Sequence, residues 1–136
     1  MRSFLDTNVL VYADAADEPD KQRCALTLIA EHRRAGTGVL STQVLQEYAN
    51  VALRKLKLPA ALVRERLAFH SRFEVVPATA RLIAEALDLH VLHSVSFYDA
   101  LIVQAAIASG CARLLSEDMQ DGASFGGVRI ANPFKA

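Results

Sequence analysis

The sequence predicts an α/β fold in which a mainly parallel sheet carries helices on both faces. Three observations predict it. Short apolar segments alternate almost throughout with longer segments of helical periodicity, so successive strands are joined by crossovers rather than tight hairpins. Of the 136 residues, 52% are hydrophobic and 22% charged, the balance of a chain that buries one core. With 6 Gly and 4 Pro and no repeat, linker or low-complexity tract, residues 1–136 are expected to form a single domain.

Taken in order, Ser3 to Leu5 reads as an apolar strand ending at Asp6. The next periodic segment runs from about Pro19 to Ala35, with Asp17 and Asp20 as an acidic start, Pro19 in the first turn and Gly36 as the stop. A brief strand follows at Gly38 to Leu40. Ser41 and Thr42 offer caps for a helix reaching Leu56, in which Val44, Leu45, Tyr48, Val51, Ala52 and Leu56 recur at three- and four-residue steps. Leu58-Pro59 breaks the chain before a helix from Ala60 to about His70, and Phe73 to Val76 reads as a strand. Thr79 caps a helix to about Leu89, His93 to Ser96 form a loop, and an apolar helix from Phe97 to Ser109 stops at Gly110. Arg113 to Leu115 and Val128 to Ala131 complete the strands.

Lysine plus arginine and aspartate plus glutamate both total 15, so no global field draws the chain to nucleic acid, and any polyanion site is local. Cys24 and Cys111 form no C-x-x-C pair, each reads as a small buried residue, and a reducing cytoplasm fits them best. The apolar N-terminal stretch is broken by Asp6, Asn8 and Asp14, so neither a signal peptide nor a membrane span is expected.

Ligands of an open parallel sheet gather at the carboxyl ends of its strands. Asp6 ends one strand, and Ser116-Glu117-Asp118 follow another. Both aspartates also suit turns or caps. Asp99 lies in Ser96-Phe97-Tyr98-Asp99, the spacing of a capping box, and a cap there is compatible with a ligand. Glu47 flanks the apolar stripe of its helix between Val44 and Val51, where Arg54 offers an ion pair. Converging carboxylates repel, so a cluster of them needs raised pKa values, basic partners or a bound cation. Oxygen-only ligands select Mg²⁺ or Mn²⁺, which suits phosphodiester hydrolysis.

The segments Phe4-Leu5-Asp6-Thr7-Asn8-Val9-Leu10, Ser96-Phe97-Tyr98-Asp99-Ala100-Leu101-Ile102-Val103 and Leu115-Ser116-Glu117-Asp118, with Glu47 between them, resemble those of a PIN domain of the VapC-like toxin ribonucleases. The resemblance spans nearly the whole chain. It implies a three-layer α/β/α domain, Mg²⁺ or Mn²⁺ held by Asp6, Glu47, Asp99 and Asp118, and endoribonuclease activity in a toxin and antitoxin pair. Ser116 matches the family's small hydroxyl residue before the last acid. Thr7 and Asn8 match its outer polar shell, expected to orient Asp6 or a metal-bound water. Glu117 and Asp121 are further acids near Asp118, either of which could complete the site. A cognate antitoxin, an RNA substrate and a homodimer are the implied partners. The antitoxin is expected to lay apolar side chains in a groove and to insert a basic residue among the acids.

Other features are less specific. Arg54, Lys55, Lys57, Arg64, Arg66 and Arg72 oppose only Glu65 in their stretch, which suits either an RNA backbone or a solvated helix face. His90 and His93 have chelating spacing but no third ligand nearby in sequence, so zinc is not expected. The segment Gln43 to Phe69, with Leu53, Leu58 and Leu62, is the expected dimer surface. Two alternatives remain at this level. One is a PIN-like module that binds RNA or a partner without hydrolysis. The other is a phosphatase of the haloacid dehalogenase type, disfavoured because Asn8 stands where that chemistry needs a second acid.

Overall fold

The computed structural model describes residues 1–135. Its sheet has six strands in the order β3-β2-β1-β4-β6-β5, formed by β1 (Ser3–Leu5), β2 (Gly38–Ser41), β3 (Glu74–Val76), β4 (Arg113–Leu115), β5 (Ser124–Phe125) and β6 (Val128–Ala131). All pairings are parallel except β5 with β6. Helices α1 (Thr7–Ala13), α2 (Pro19–Ala35), α3 (Thr42–Arg54), α4 (Ala60–His70), α5 (Ala80–His93) and α6 (Phe97–Ala108) complete a three-layer α/β/α arrangement. Phe4, Leu5, Val39, Leu40, Leu114, Leu115 and Ile130 are buried, as expected for strands covered on both faces. No single helix is long and apolar enough to cross a membrane.

This strand order fixes where chemistry can sit. The chain winds outward from β1 through β2 to β3, then returns to the other side of β1 and continues through β4 to β6. Connections leaving β1 and β4 therefore diverge and open a crevice at their carboxyl ends. Asp6 directly follows β1 and Ser116 directly follows β4.

Three elements depart from the sequence expectation. Helix α1 was not anticipated, because Thr7, Asn8, Val9 and Val11 are poor helix formers and the segment has only 7 residues. Burial of Val9 and Leu10, with Asp6 accepting from the Thr7 amide, overrides that propensity. Strand β5 is formed by a two-residue turn at Gly126 and Gly127, with φ of 52° and 85°, the left-handed pair that a tight hairpin needs. Helix α5 also runs to His93 instead of ending near Leu89. Cys24 is half-buried, with its thiol against the Pro133 carbonyl, whereas Cys111 is buried as expected.

Candidate metal centre

Asp6 is the most constrained of the four acids. It is 7% exposed, its Oδ1 accepts from the Thr7 amide at 2.7 Å, and its Oδ2 accepts from the Ser116 hydroxyl at 2.7 Å. Burial pushes its pKa up to about 6, against the hydrogen bonds from Ser116 and Thr7, and the negative charges of Glu47 and Asp118 push the same way. Thr7 bonds Asp6 through its amide and Glu47 through its hydroxyl, and the Ser116 hydroxyl meets both Asp6 and the Asp118 amide, so Glu47 and Asp118 come beside Asp6 from α3 and from the segment after β4.

Glu47 is half-buried and held from two sides. Its Oε2 accepts from the Thr7 hydroxyl at 3.1 Å, and its Oε1 accepts from Gln43 Nε2 at 2.7 Å. Gln43 also donates to the Tyr98 carbonyl at 3.2 Å, which ties α3 to the start of α6 beside Asp99. The anticipated Glu47–Arg54 pair is not formed among the described residues. Gln43 was missed in the sequence. Its position one helical turn before Glu47 was the available signal.

Asp118 is exposed, and its Oδ2 accepts from Asn8 Nδ2 at 3.2 Å while its backbone amide donates to Ser116 Oγ at 3.2 Å. Asn8 Oδ1 in turn accepts from the Glu117 amide at 3.4 Å. The Thr7 and Asn8 side chains thus hold Glu47 and Asp118, while the Ser116 hydroxyl and the Thr7 amide hold Asp6. Asp99 and Asp118 border one small cavity. Ser96 caps α6 by accepting from the Asp99 amide at 3.2 Å, and the Asp99 carboxylate makes no hydrogen bond among the described residues.

The two additional acids point elsewhere. Glu117 accepts from Tyr12 at 2.5 Å and Lys21 at 2.7 Å. Burial raises the Glu117 pKa, but those two donors outweigh it and hold the carboxylate below its ordinary range. Asp121 accepts from the Asn132 amide at 2.9 Å and pairs with Lys135 at 3.3 Å, which also lowers its pKa. Both carboxylates therefore hold the chain together.

Among the basic residues, Arg54, Lys55, Lys57 and Arg64 are exposed. Arg66 is committed to Asp14 at 2.9 Å, beside the Tyr48 hydroxyl that donates to the same carboxylate. Arg72 lines a recess with Gly38 and Glu74 at the amino ends of β2 and β3, the opposite edge of the sheet from Asp6. These cations do not form one continuous stripe. His90 turns Nδ1 to the Val95 carbonyl, and His93 packs edge-on against Phe125.

Among the described residues no three acidic, histidine or cysteine side chains stand together as a preformed ligand group. The donor chemistry nonetheless fits a hard divalent cation. Asp6, Glu47, Asp99 and Asp118 offer only carboxylate oxygens, and none of them is paired with a lysine, arginine or histidine among the described residues.

Several solved structures share this fold. VapC20 of Mycobacterium tuberculosis, described as a sarcin-ricin loop cleaving toxin, is 22% identical with a TM-score of 0.69, the match covering 85% of this chain and 89% of that one. A toxin-antitoxin complex from Klebsiella pneumoniae matches at 16% identity and a TM-score of 0.70 over 98% of this chain and 99% of that one. VapBC2 of Rickettsia felis, bound to a DNA fragment from its promoter, matches at 25% identity and a TM-score of 0.63, over 87% and 89% of the two chains. No curated protein matches the sequence. The sequence over residues 3–120 matches the PIN domain, and the chain belongs to that family.

Proposed function

We propose that this chain is an Mg²⁺- or Mn²⁺-dependent endoribonuclease, acting as the toxin of a toxin–antitoxin pair in the cytoplasm. The observation that carries the reading is Asp6: a carboxylate buried at the diverging ends of β1 and β4, fixed by Ser116, facing Glu47 and Asp118 and lacking any cationic partner among the described residues. A divalent cation offsets that repulsion better than a lysine does, because it brings two charges and exchangeable water.

Asp6, Asp99 and Asp118 would hold the cation, and Glu47 would place a second cation or accept the proton of the attacking water. When bound, the metal activates water and neutralises charge on the phosphodiester. Ser116 and the Thr7 amide hold the two Asp6 oxygens, Thr7 and Gln43 hold Glu47, and Asn8 holds Asp118. Water attacks phosphorus and gives up one proton, the P–O bond to the leaving sugar breaks, and the sugar oxygen takes one proton from solvent, so that protons balance. The test is cleavage of single-stranded RNA with Mg²⁺ or Mn²⁺, removed by chelation and by Asp6→Asn. A folded Asp6→Asn protein with wild-type turnover would overturn the assignment.

The antitoxin is assigned to an apolar groove of about 530 Å³ between α1, α2 and α4. Leu26 and Phe69 line it and are 51% and 40% exposed. A partner helix or strand placing apolar side chains there has a surface to bury. The non-catalytic binding reading is favoured by one fact, that no three acids form a preformed ligand group among the described residues. The same cleavage assay separates the two, since a binding module retains RNA without metal-dependent scission.

A further inference from the structure

We propose that the cavity beside Asp99 and Asp118 seats one unpaired nucleobase of the RNA, next to the phosphate held at the carboxylates; this rests on the ribonuclease reading. The cavity encloses about 190 Å³. That is below the roughly 300 Å³ at which pockets for drug-sized ligands begin, and it suits a single planar ring system. Two of its lining residues are metal-site acids, and the others include Val95, Val103, Met119, Ala123, Phe125 and Gln120. The lining thus combines two acids with apolar side chains, the division of charge and apolar surface found within a nucleotide.

The parts have suitable chemistry. Phe125 sits on β5, the strand created by the Gly126–Gly127 turn, and His93 packs against its ring at 5.1 Å and 84°. Phe125 borders the cavity and supplies an aromatic surface on which a base can stack. Met119 supplies a polarisable wall that adapts to ring shape. Gln120 is exposed, and its side-chain amide makes no hydrogen bond among the described residues, so it is free to donate to and accept from a base edge. Bases inside a duplex cannot enter such a recess, so the substrate class is single-stranded or looped RNA.

Phe125→Leu keeps apolar volume in β5 and removes the stacking face, and Gln120→Ala removes the amide. Both are compared with the wild type on a single-stranded RNA pool randomised around the cut, with product ends sequenced. Binding of the four RNA homohexamers is measured in an Asp6→Asn background, and Mn²⁺ affinity and circular dichroism serve as controls. The expected result is a roughly tenfold or greater loss of kcat/KM for Phe125→Leu. Gln120→Ala is expected to change base preference at one nucleotide beside the cut, with Mn²⁺ affinity unchanged in both. If the wild type cleaves and both variants keep its base preference and its kcat/KM within twofold, the base pocket is overturned and the nuclease stands. If the wild type cleaves nothing but Phe125→Leu weakens homohexamer binding tenfold, the nuclease reading falls and the base pocket stands. Absence of both effects overturns both.

Discussion

At Asp6 the local and global demands on one side chain conflict. The carboxylate caps α1 and accepts from Ser116, yet its burial beside Glu47 and Asp118 raises its pKa to about 6. Between the ordinary carboxylate value and about 6 the folded protein binds more protons here than the unfolded chain, so this group's contribution to stability falls as pH rises through that window. The penalty above it is at most about 3 kcal/mol. Metal-free Asp6→Asn is therefore expected to be more stable than the wild type at pH 7 by about 1–3 kcal/mol, with the difference vanishing near pH 4, while RNA cleavage is abolished. Urea unfolding at the two pH values checks the first part. At Asp99, the cap and ligand roles separate because Ser96 supplies the cap. Asp99→Asn is expected to change stability by less than about 0.5 kcal/mol while weakening Mn²⁺ binding and cleavage. A loss of stability with unchanged Mn²⁺ affinity would return Asp99 to a structural role.

Between elements, the packing of α4 on α3 brings His70 against Tyr48, both fully or nearly buried, and neither ring nitrogen of His70 has a hydrogen-bond partner. Burial pulls its pKa down to about 4, against the attraction of Asp14 and with the help of Arg66 and Arg33. An unfolded chain takes up this proton first as pH falls, so the His70 contribution is lost between about pH 6.5 and 4, by up to about 3 kcal/mol. That slope opposes the one from Asp6. His70→Phe is expected to remove the acid-side loss, so that the variant gains stability relative to the wild type between pH 6.5 and 4, as followed by urea midpoints. The same scale shows what was legible in the sequence. Long periodic helices such as α3, and the strand-end position of Asp6, follow from local pattern and topology. Helix α1 did not, because its formation depends on burial of Val9 and Leu10 and not on propensity. Strand β5 was legible in principle, since Gly126-Gly127 is a hairpin signal. The partners of Glu47 and Asp118 could not be read, because Thr7 and Asn8 reach across 40 and 110 residues of chain.

For the whole molecule, the exposed apolar surface indicates how copies of the chain would associate. The sequence places the dimer surface within Gln43 to Phe69, where Leu53 is exposed and Leu58 and Leu62 are half-buried. A more continuous surface lies on α5. Leu82, Ala86 and Leu89 face the core, whereas Ile83, Leu87 and Val91, spaced four residues apart, are 42%, 52% and 73% exposed. Helix α5 therefore carries a second apolar stripe beyond the one packed on α6. Two such stripes facing each other across a two-fold axis make an isologous interface. Burying a Leu or Val side chain is worth about 1.5–3 kcal/mol, so introducing charge at both Leu87 and Val91 is expected to weaken association at least about a hundredfold. Sedimentation equilibrium at micromolar concentration is expected to give a dimer for the wild type and a monomer for Leu87→Glu combined with Val91→Glu. Metal-dependent cleavage by the monomeric variant would show that each copy carries a complete set of carboxylates, since Asp6, Glu47, Asp99 and Asp118 all come from one chain. A wild type that sediments as a monomer at these concentrations would overturn the homodimer expected from the sequence and leave the exposed α5 stripe to be explained by another partner.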